Sequence, residues 1–203
     1  MLYEYRKMTP EEREQVLRQR RERGYPLHAP PHPVREAGRY LLTAANFEHA
    51  PIMAAPDRRI DLEARLLETM VAFQVEVYGW VILPNHYHFL AGALSLDDVS
   101  AALKQLHGST SHEWNLADHE TGMRKVWYKF SDRMMRNDAH FYCALNYIHY
   151  NPVKHRYVDD PYAWLWTSLH NYAEAEGYGR AWLREKWKAY PPGDFGKGWD
   201  DND

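Results

Sequence analysis

The sequence predicts an α+β fold: a split βαβ (ferredoxin-like) antiparallel sheet with helices on one face. Three observations carry this. Periodic segments between Arg39 and Tyr150 fall in the order strand, helix, strand, strand, helix, strand, helix, and the first six match the split βαβ pattern. The two segments inside that pattern with helical spacing are long and amphipathic, as helices covering a sheet must be. The two middle strands are separated only by the turn signal Pro84-Asn85, which demands antiparallel neighbours.

Before the sheet, Thr9-Pro10-Glu11-Glu12 opens a helix: Thr9 caps it, Pro10 suits its first position and Glu12 completes a capping box. Gly24 stops it. Only Val16 and Leu17 are clearly apolar inside it, so it reads as an appended arm, carrying Arg18, Arg20, Arg21 and Arg23. A proline-rich stretch from Tyr25 to Pro33 should run extended. Arg39 to Phe47 reads as the first strand. Asp57 to Phe73 follows as a helix with Ile60, Leu62, Leu66, Leu67, Met70 and Val71 near helical spacing. Val75 to Leu83 and Tyr87 to Ala93 are the middle strands. Leu96 to Trp114 is the second helix, capped near Ser95, and Lys125 to Phe130 is expected as the fourth strand. Asn137 caps a last helix that Pro152 is expected to end. After Val158 the chain is rich in Trp, Tyr, Pro and Gly and is expected to wrap the surface.

This pattern divides the chain into an arm and linker (1–35), a catalytic-sized domain (36–175) and a tail (176–203). Of 203 residues, 45% are hydrophobic, with 25 Lys and Arg against 28 Asp and Glu, a net charge of −3. That balance argues mildly against a nucleic-acid binder, but the basic residues cluster: Arg18 to Arg23, Arg124-Lys125 and Lys154-His155-Arg156. Aromatics at 14% can supply stacking platforms or core. Cys143 is the single cysteine, which excludes an internal disulfide and a cysteine zinc cage. No apolar run would cross a bilayer, and the first residues lack the core of a signal peptide. A cytoplasmic location and no membrane partner are therefore expected.

Two constellations can carry chemistry. His86-Tyr87-His88 places two imidazoles on one face of a strand, their roots roughly 6.5–7 Å apart, close enough to converge on a metal ion. Standing at the start of the strand, they are expected as edge residues. His28, His32, His49, His107, His112 and His119 are expected at the surface. In Asn146 to Val153, the stripe Phe141, Ala144, Leu145 and Ile148 defines the buried side of a helix. Tyr147 and Asn151 share one flank of that stripe, His149 takes the other and Tyr150 points away. Two imidazoles, a phenol and an amide are what metal-assisted phosphoryl transfer to tyrosine requires. The phenol, with an ordinary pKa of about 10, needs local help to react at neutral pH. Nitrogen and amide-oxygen donors completed by water and phosphate suit Mg²⁺ or Mn²⁺ better than a closed zinc site.

With these residues in place the sequence resembles a family. Leu83-Pro84-Asn85-His86-Tyr87-His88-Phe89-Leu90 is similar to the HUH (His-hydrophobic-His) motif of bacterial single-tyrosine transposases. Tyr147-Ile148-His149-Tyr150-Asn151-Pro152-Val153-Lys154 is similar to the tyrosine motif of one branch, the REP-associated tyrosine transposases. The resemblance spans Arg39 to Tyr172 with both motifs in the expected order. It implies an HUH endonuclease fold and an enzyme that nicks single-stranded DNA near small hairpins. It further implies Tyr147 as the nucleophile forming a 5′-phosphotyrosine, a freed 3′-OH able to rejoin strands without ATP, and His86, His88 and Asn151 as metal ligands. Related insertion-sequence enzymes place a glutamine where Asn151 stands, a longer reach than the asparagine gives. Lys154 and Arg156, just past the tyrosine, are candidate phosphate contacts. Arg18, Arg20, Arg21 and Arg23 are candidate DNA contacts on the arm. The alternative reading is a non-catalytic module that binds single strands through sheet aromatics. Such a module has no need to bring His86, His88 and Tyr147 together.

Overall fold

The computed structural model describes residues 9–22, 37–120 and 124–175. The first helix, α1 (Pro10–Glu22), opens with the expected reciprocal cap. The Thr9 N–H donates to Glu12 Oε2 at 2.7 Å, and the Glu12 N–H donates to Thr9 Oγ1 at 3.3 Å. Arg18 and Arg21 are exposed. The side chain of Arg20, all of Arg23, the proline-rich linker and the tail from 176 lie outside the described residues.

The sheet is built from β1 (Gly38–Ala45), β2 (Glu76–Ile82), β3 (His86–Ala93) and β4 (Ser131–Met134), in the order β2-β3-β1-β4 with every pair antiparallel. The helices α2 (Pro56–Ala72) and α3 (Leu96–Ala117) lie inside the βαββαβ run. Both pack on one face, where Leu62, Leu66 and Met70 from α2 and Val99, Leu103 and Leu106 from α3 meet Tyr40, Leu42, Tyr87 and Phe89. Ser95 caps α3, its side chain accepting from the Asp97 N–H. The seventh element, α4 (Asp138–Lys154), covers the opposite face. Its stripe of Phe141, Ala144, Leu145 and Ile148 packs on Leu41, Val81 and Leu90. Because strand side chains alternate, Tyr87 and Phe89 go to one core and His86, His88 and Leu90 to the side of α4. Gly79 lets the helix settle closely: a Cβ there would stand 2.6 Å from Leu145 Cδ1.

Three expectations need correction. The fourth strand is not Lys125 to Phe130 but Ser131–Met134, paired with Tyr40 to Thr43. Val126 and Trp127 are both buried, which no strand with alternating faces allows at an exposed edge. Trp127 stacks on His107 at 4.5 Å and donates Nε1–H to Thr110, so this stretch touches β1 only through an isolated bridge at Asn46 and a few backbone bonds. His107 is not a surface residue. It bonds the Tyr87 hydroxyl at 2.7 Å, and burial pushes its pKa down to about 3. Pro152 does not end α4, which runs on to Lys154. A proline forfeits one N–H bond, and in a last turn this loss is tolerated. Its own carbonyl accepts from the Tyr157 N–H, and Asn151 C=O accepts from the His155 N–H.

Beyond α4 the chain returns to the free edge of β2. Ile82 N–H donates to Trp166 C=O and Ser168 N–H to Trp80 C=O, both at 3.0 Å, so the edge is covered. A short helix, α5 (Leu169–Ala175), follows. Among the described residues no helix is long and apolar enough to cross a membrane.

Candidate active site

His86 and His88 stand on β3, an inner strand flanked by β2 and β1. They are 4% and 0% exposed, not edge residues, because α4 closes the face they occupy. Their rings meet edge to face with centroids 5.0 Å apart. Each ring is held by its Nδ1. That of His86 lies 2.7 Å from Asn85 Oδ1, so it carries the proton and donates. That of His88 lies 2.7 Å from Thr43 Oγ1, directly across the β1–β3 ladder. Such bonds fix ring orientation and tautomer, and with Nδ1 engaged, Nε2 is the nitrogen presented for metal or proton.

Helix α4 carries Tyr147 over this pair. Its phenol oxygen lies 3.4 Å from His88 Nε2, and the two rings are 5.1 Å apart. Lys154 reaches back along the helix to set its ammonium 5.2 Å from the Tyr147 ring centre. Asn151, one turn beyond Tyr147, is fully buried, and neither atom of its amide has a hydrogen-bond partner. A buried amide in that condition is costly and is what a ligand to an added cation looks like before the cation arrives. His155, the C-cap of α4, places its ring 5.0 Å from that of His86. Arg156 follows, exposed, with φ at 59°.

Two further residues of the motif stand apart from the phenol. His149, on the flank away from Tyr147, is fully buried. Its Nε2 is 2.9 Å from Ser168 Oγ, and burial pushes its pKa down to about 3, so it is neutral in ordinary conditions. Tyr150 projects outward and is 45% exposed. Among the described residues no group of three or more His, Cys, Asp or Glu could hold a metal ion. The donors this site could offer a cation are the two imidazoles and, one helical turn beyond Tyr147, the Asn151 amide, with water completing the shell. That donor set fits a hard or borderline divalent ion that keeps open positions.

Asn85 and Thr43, which hold the two histidines, are neighbours that the sequence reading passed over. Asn85 was legible as the residue before the first histidine, since a metal-binding imidazole needs a partner for its other nitrogen. Thr43 carries no such signal; only strand register puts it opposite His88. Arg133 was hidden by the misplaced fourth strand. It pairs with Leu41 of β1 and lies, exposed, on the face of the sheet that carries α4. Its pKa is lowered by burial and by Arg136 and raised by the charge of Tyr147.

No protein-family model matches the chain. A protein of Haemophilus influenzae whose name places it among the REP-associated tyrosine transposases is 29% identical over 125 residues, covering 57% of this chain and 70% of that protein. A REP-associated tyrosine transposase of Escherichia coli is 27% identical over 97 residues, covering 47% of this chain and 54% of that protein. The solved structure of a REP-associated tyrosine transposase bound to a REP hairpin superposes with a TM-score of 0.57 at 20% identity, covering 71% of this chain and 84% of that one. That likeness shows the fold: the chain shares the α+β architecture of that structure, a four-stranded antiparallel sheet with helices. The resemblance carried by the two motifs is borne out, and the chain is a relative of REP-associated tyrosine transposases, with a transposase-like function.

Proposed function

We propose that this chain nicks and rejoins single-stranded DNA beside hairpins, with Tyr147 as covalent nucleophile and His86, His88 and Asn151 as ligands to Mg²⁺ or Mn²⁺. One observation carries the reading. Helix α4 places the Tyr147 phenol over the two buried imidazoles, 3.4 Å from His88 Nε2.

The reaction balances without an outside energy source. The Tyr147 oxygen bonds to phosphorus, the P–O3′ bond breaks, and the bonding pair leaves on the 3′-oxygen. The proton lost from the phenol is matched by the one gained at the 3′-OH. In the reverse sense a 3′-OH attacks the 5′-phosphotyrosine, the P–O(Tyr147) bond breaks and the phenol is restored. A bound divalent ion supplies charge neutralisation at the non-bridging oxygens. The protein supplies the rest. Helix α4 aims the phenol, Thr43 and Asn85 hold the imidazoles, and Lys154 sets a positive charge beside the ring of the attacking residue. The sheet and α4 keep the pair away from bulk water, and electrostatic effects are stronger in such a water-excluded place. Lys154 and Arg156, and Arg18, Arg20, Arg21 and Arg23 on the arm, are assigned to the DNA backbone.

The test is a labelled hairpin-bearing single strand incubated with the protein and Mg²⁺ or Mn²⁺, run on a denaturing gel for a covalent adduct. Tyr147→Phe removes one oxygen and keeps the ring in its core. It should bind DNA and form no adduct. Tyr150→Phe should react normally. An adduct that persists in Tyr147→Phe and disappears in Tyr150→Phe overturns the assignment. Hairpin binding with no adduct in the unaltered chain would leave a binding module.

A further inference from the structure

Resting on that reading, we propose that Arg133 binds the phosphodiester attacked by Tyr147, a cation supplied from the sheet edge while Lys154 supplies one from the helix. The placement follows from register. Along β4, Ser131 and Arg133 face one side and Asp132 and Met134 the other. Met134 packs against the core under α2 and α3, so Arg133 lies, exposed, on the face of the sheet that carries α4. Its partner across the ladder is Leu41, itself opposite Leu90, and both leucines pack with Tyr147 in one cluster. The neighbouring row runs His88, Thr43, Ser131. Arg133 therefore rises from the same sheet face as the imidazoles, one row along and two strands over.

Further cations stand around Arg133. Arg136 and His140 lie near Arg133: burial first, and then positive neighbours, hold the pKa values of Arg133 and His140 below their ordinary range. Arg39, on the same face, pairs with Asp138 at 2.6 Å and lies over Phe141. Arg133 and Arg136 are exposed, so an incoming phosphate can reach these positive groups and relieve their mutual repulsion. A guanidinium suits the task because its planar fork meets two phosphate oxygens at once. Charge accumulating on those oxygens as the Tyr147 oxygen approaches would then be met by a fixed donor.

The experiment uses the full chain and two hairpin-bearing strands, identical except that one carries a methylphosphonate at the cleavage position. That change removes the charged oxygen Arg133 would hold. On the ordinary strand, Arg133→Gln should slow adduct formation about 10- to 100-fold, the worth of a charge-assisted bond. Arg133→Lys should recover part of the loss, and thermal melting should not move. On the methylphosphonate strand the gap between Arg133→Gln and the unaltered chain should shrink to near nothing. In binding measurements across salt, Arg133→Gln should lower the slope by about 0.7, one phosphate contact on a single strand. Unchanged rate together with unchanged slope overturns the proposal, and so does a full penalty on the methylphosphonate strand. Tyr147→Phe in parallel keeps the two ideas apart. An adduct formed without the phenol refutes the nucleophile, whereas the salt slope reports on Arg133 even where no cleavage occurs.

Discussion

Replacing Thr43 by Val swaps a hydroxyl for a methyl of nearly equal size inside β1, so packing changes little. The bond lost is the 2.7 Å contact to His88 Nδ1, on a ring that is 0% exposed. An imidazole nitrogen stranded in that position costs about 1–3 kcal/mol of stability, or a fall in Tm of roughly 2–4 °C per kcal/mol for a chain of this size. The larger consequence concerns metal affinity. With its other nitrogen no longer held, the His88 ring gains freedom and basicity drops, and loss of such a partner weakens metal binding by about 10- to 100-fold. The assay is adduct formation followed across a Mn²⁺ titration, with direct Mn²⁺ binding measured by paramagnetic resonance. In Thr43→Val the half-saturating Mn²⁺ concentration should rise by that factor, while the rate at saturating Mn²⁺ returns close to that of the unaltered chain. Thr43→Ser, which keeps the hydroxyl, should sit near the original value. Half-saturation unchanged in Thr43→Val, with only the maximal rate reduced, would refute the reasoning, since it would place the hydroxyl in chemistry and not in holding a ligand.

Asn151→Leu removes a buried amide with no hydrogen-bond partner on either atom, so it should stabilise the protein in urea by about 1–3 kcal/mol while abolishing Mn²⁺ binding; a destabilised variant would mean the amide is satisfied. His107 and His149, each held near 3 by burial, bind fewer protons folded than unfolded between that value and an ordinary pKa of about 6.5. Stability should therefore fall as pH drops through this window, by about 1.4 kcal/mol per pH unit for each, and urea midpoints flat between pH 7 and pH 5 would contradict it. Deleting residues up to Pro33 removes the exposed Arg18 and Arg21 along with Arg20 and Arg23 and should weaken hairpin binding and flatten its salt dependence. Equal affinity at every salt concentration would exclude the arm from DNA contact.

Much of this could be read from the order of residues because it depends on local periodicity. Alternation within β3 put His86 and His88 on one side, and helical spacing put Tyr147 and Asn151 on one flank, with His149 and Tyr150 elsewhere. The Thr9–Glu12 box, Ser95 and Asn137 acted as caps because a cap is a contact within four residues. The element order likewise sufficed for the antiparallel sheet with α2 and α3 on one face. Periodicity failed where distant side chains compete for the same space. Trp127 was drawn into an aromatic cluster with His107, and that moved the fourth strand to Ser131–Met134. Only the folded chain decided that α4 lies on the opposite face, that the histidines are buried beneath it, and that Thr43 and Arg133 stand beside them. Those facts depend on strand register and on which face each helix occupies. The contacts that set them link residues as far apart as Thr43, His88 and Tyr147, and no local repeat in the sequence encodes them.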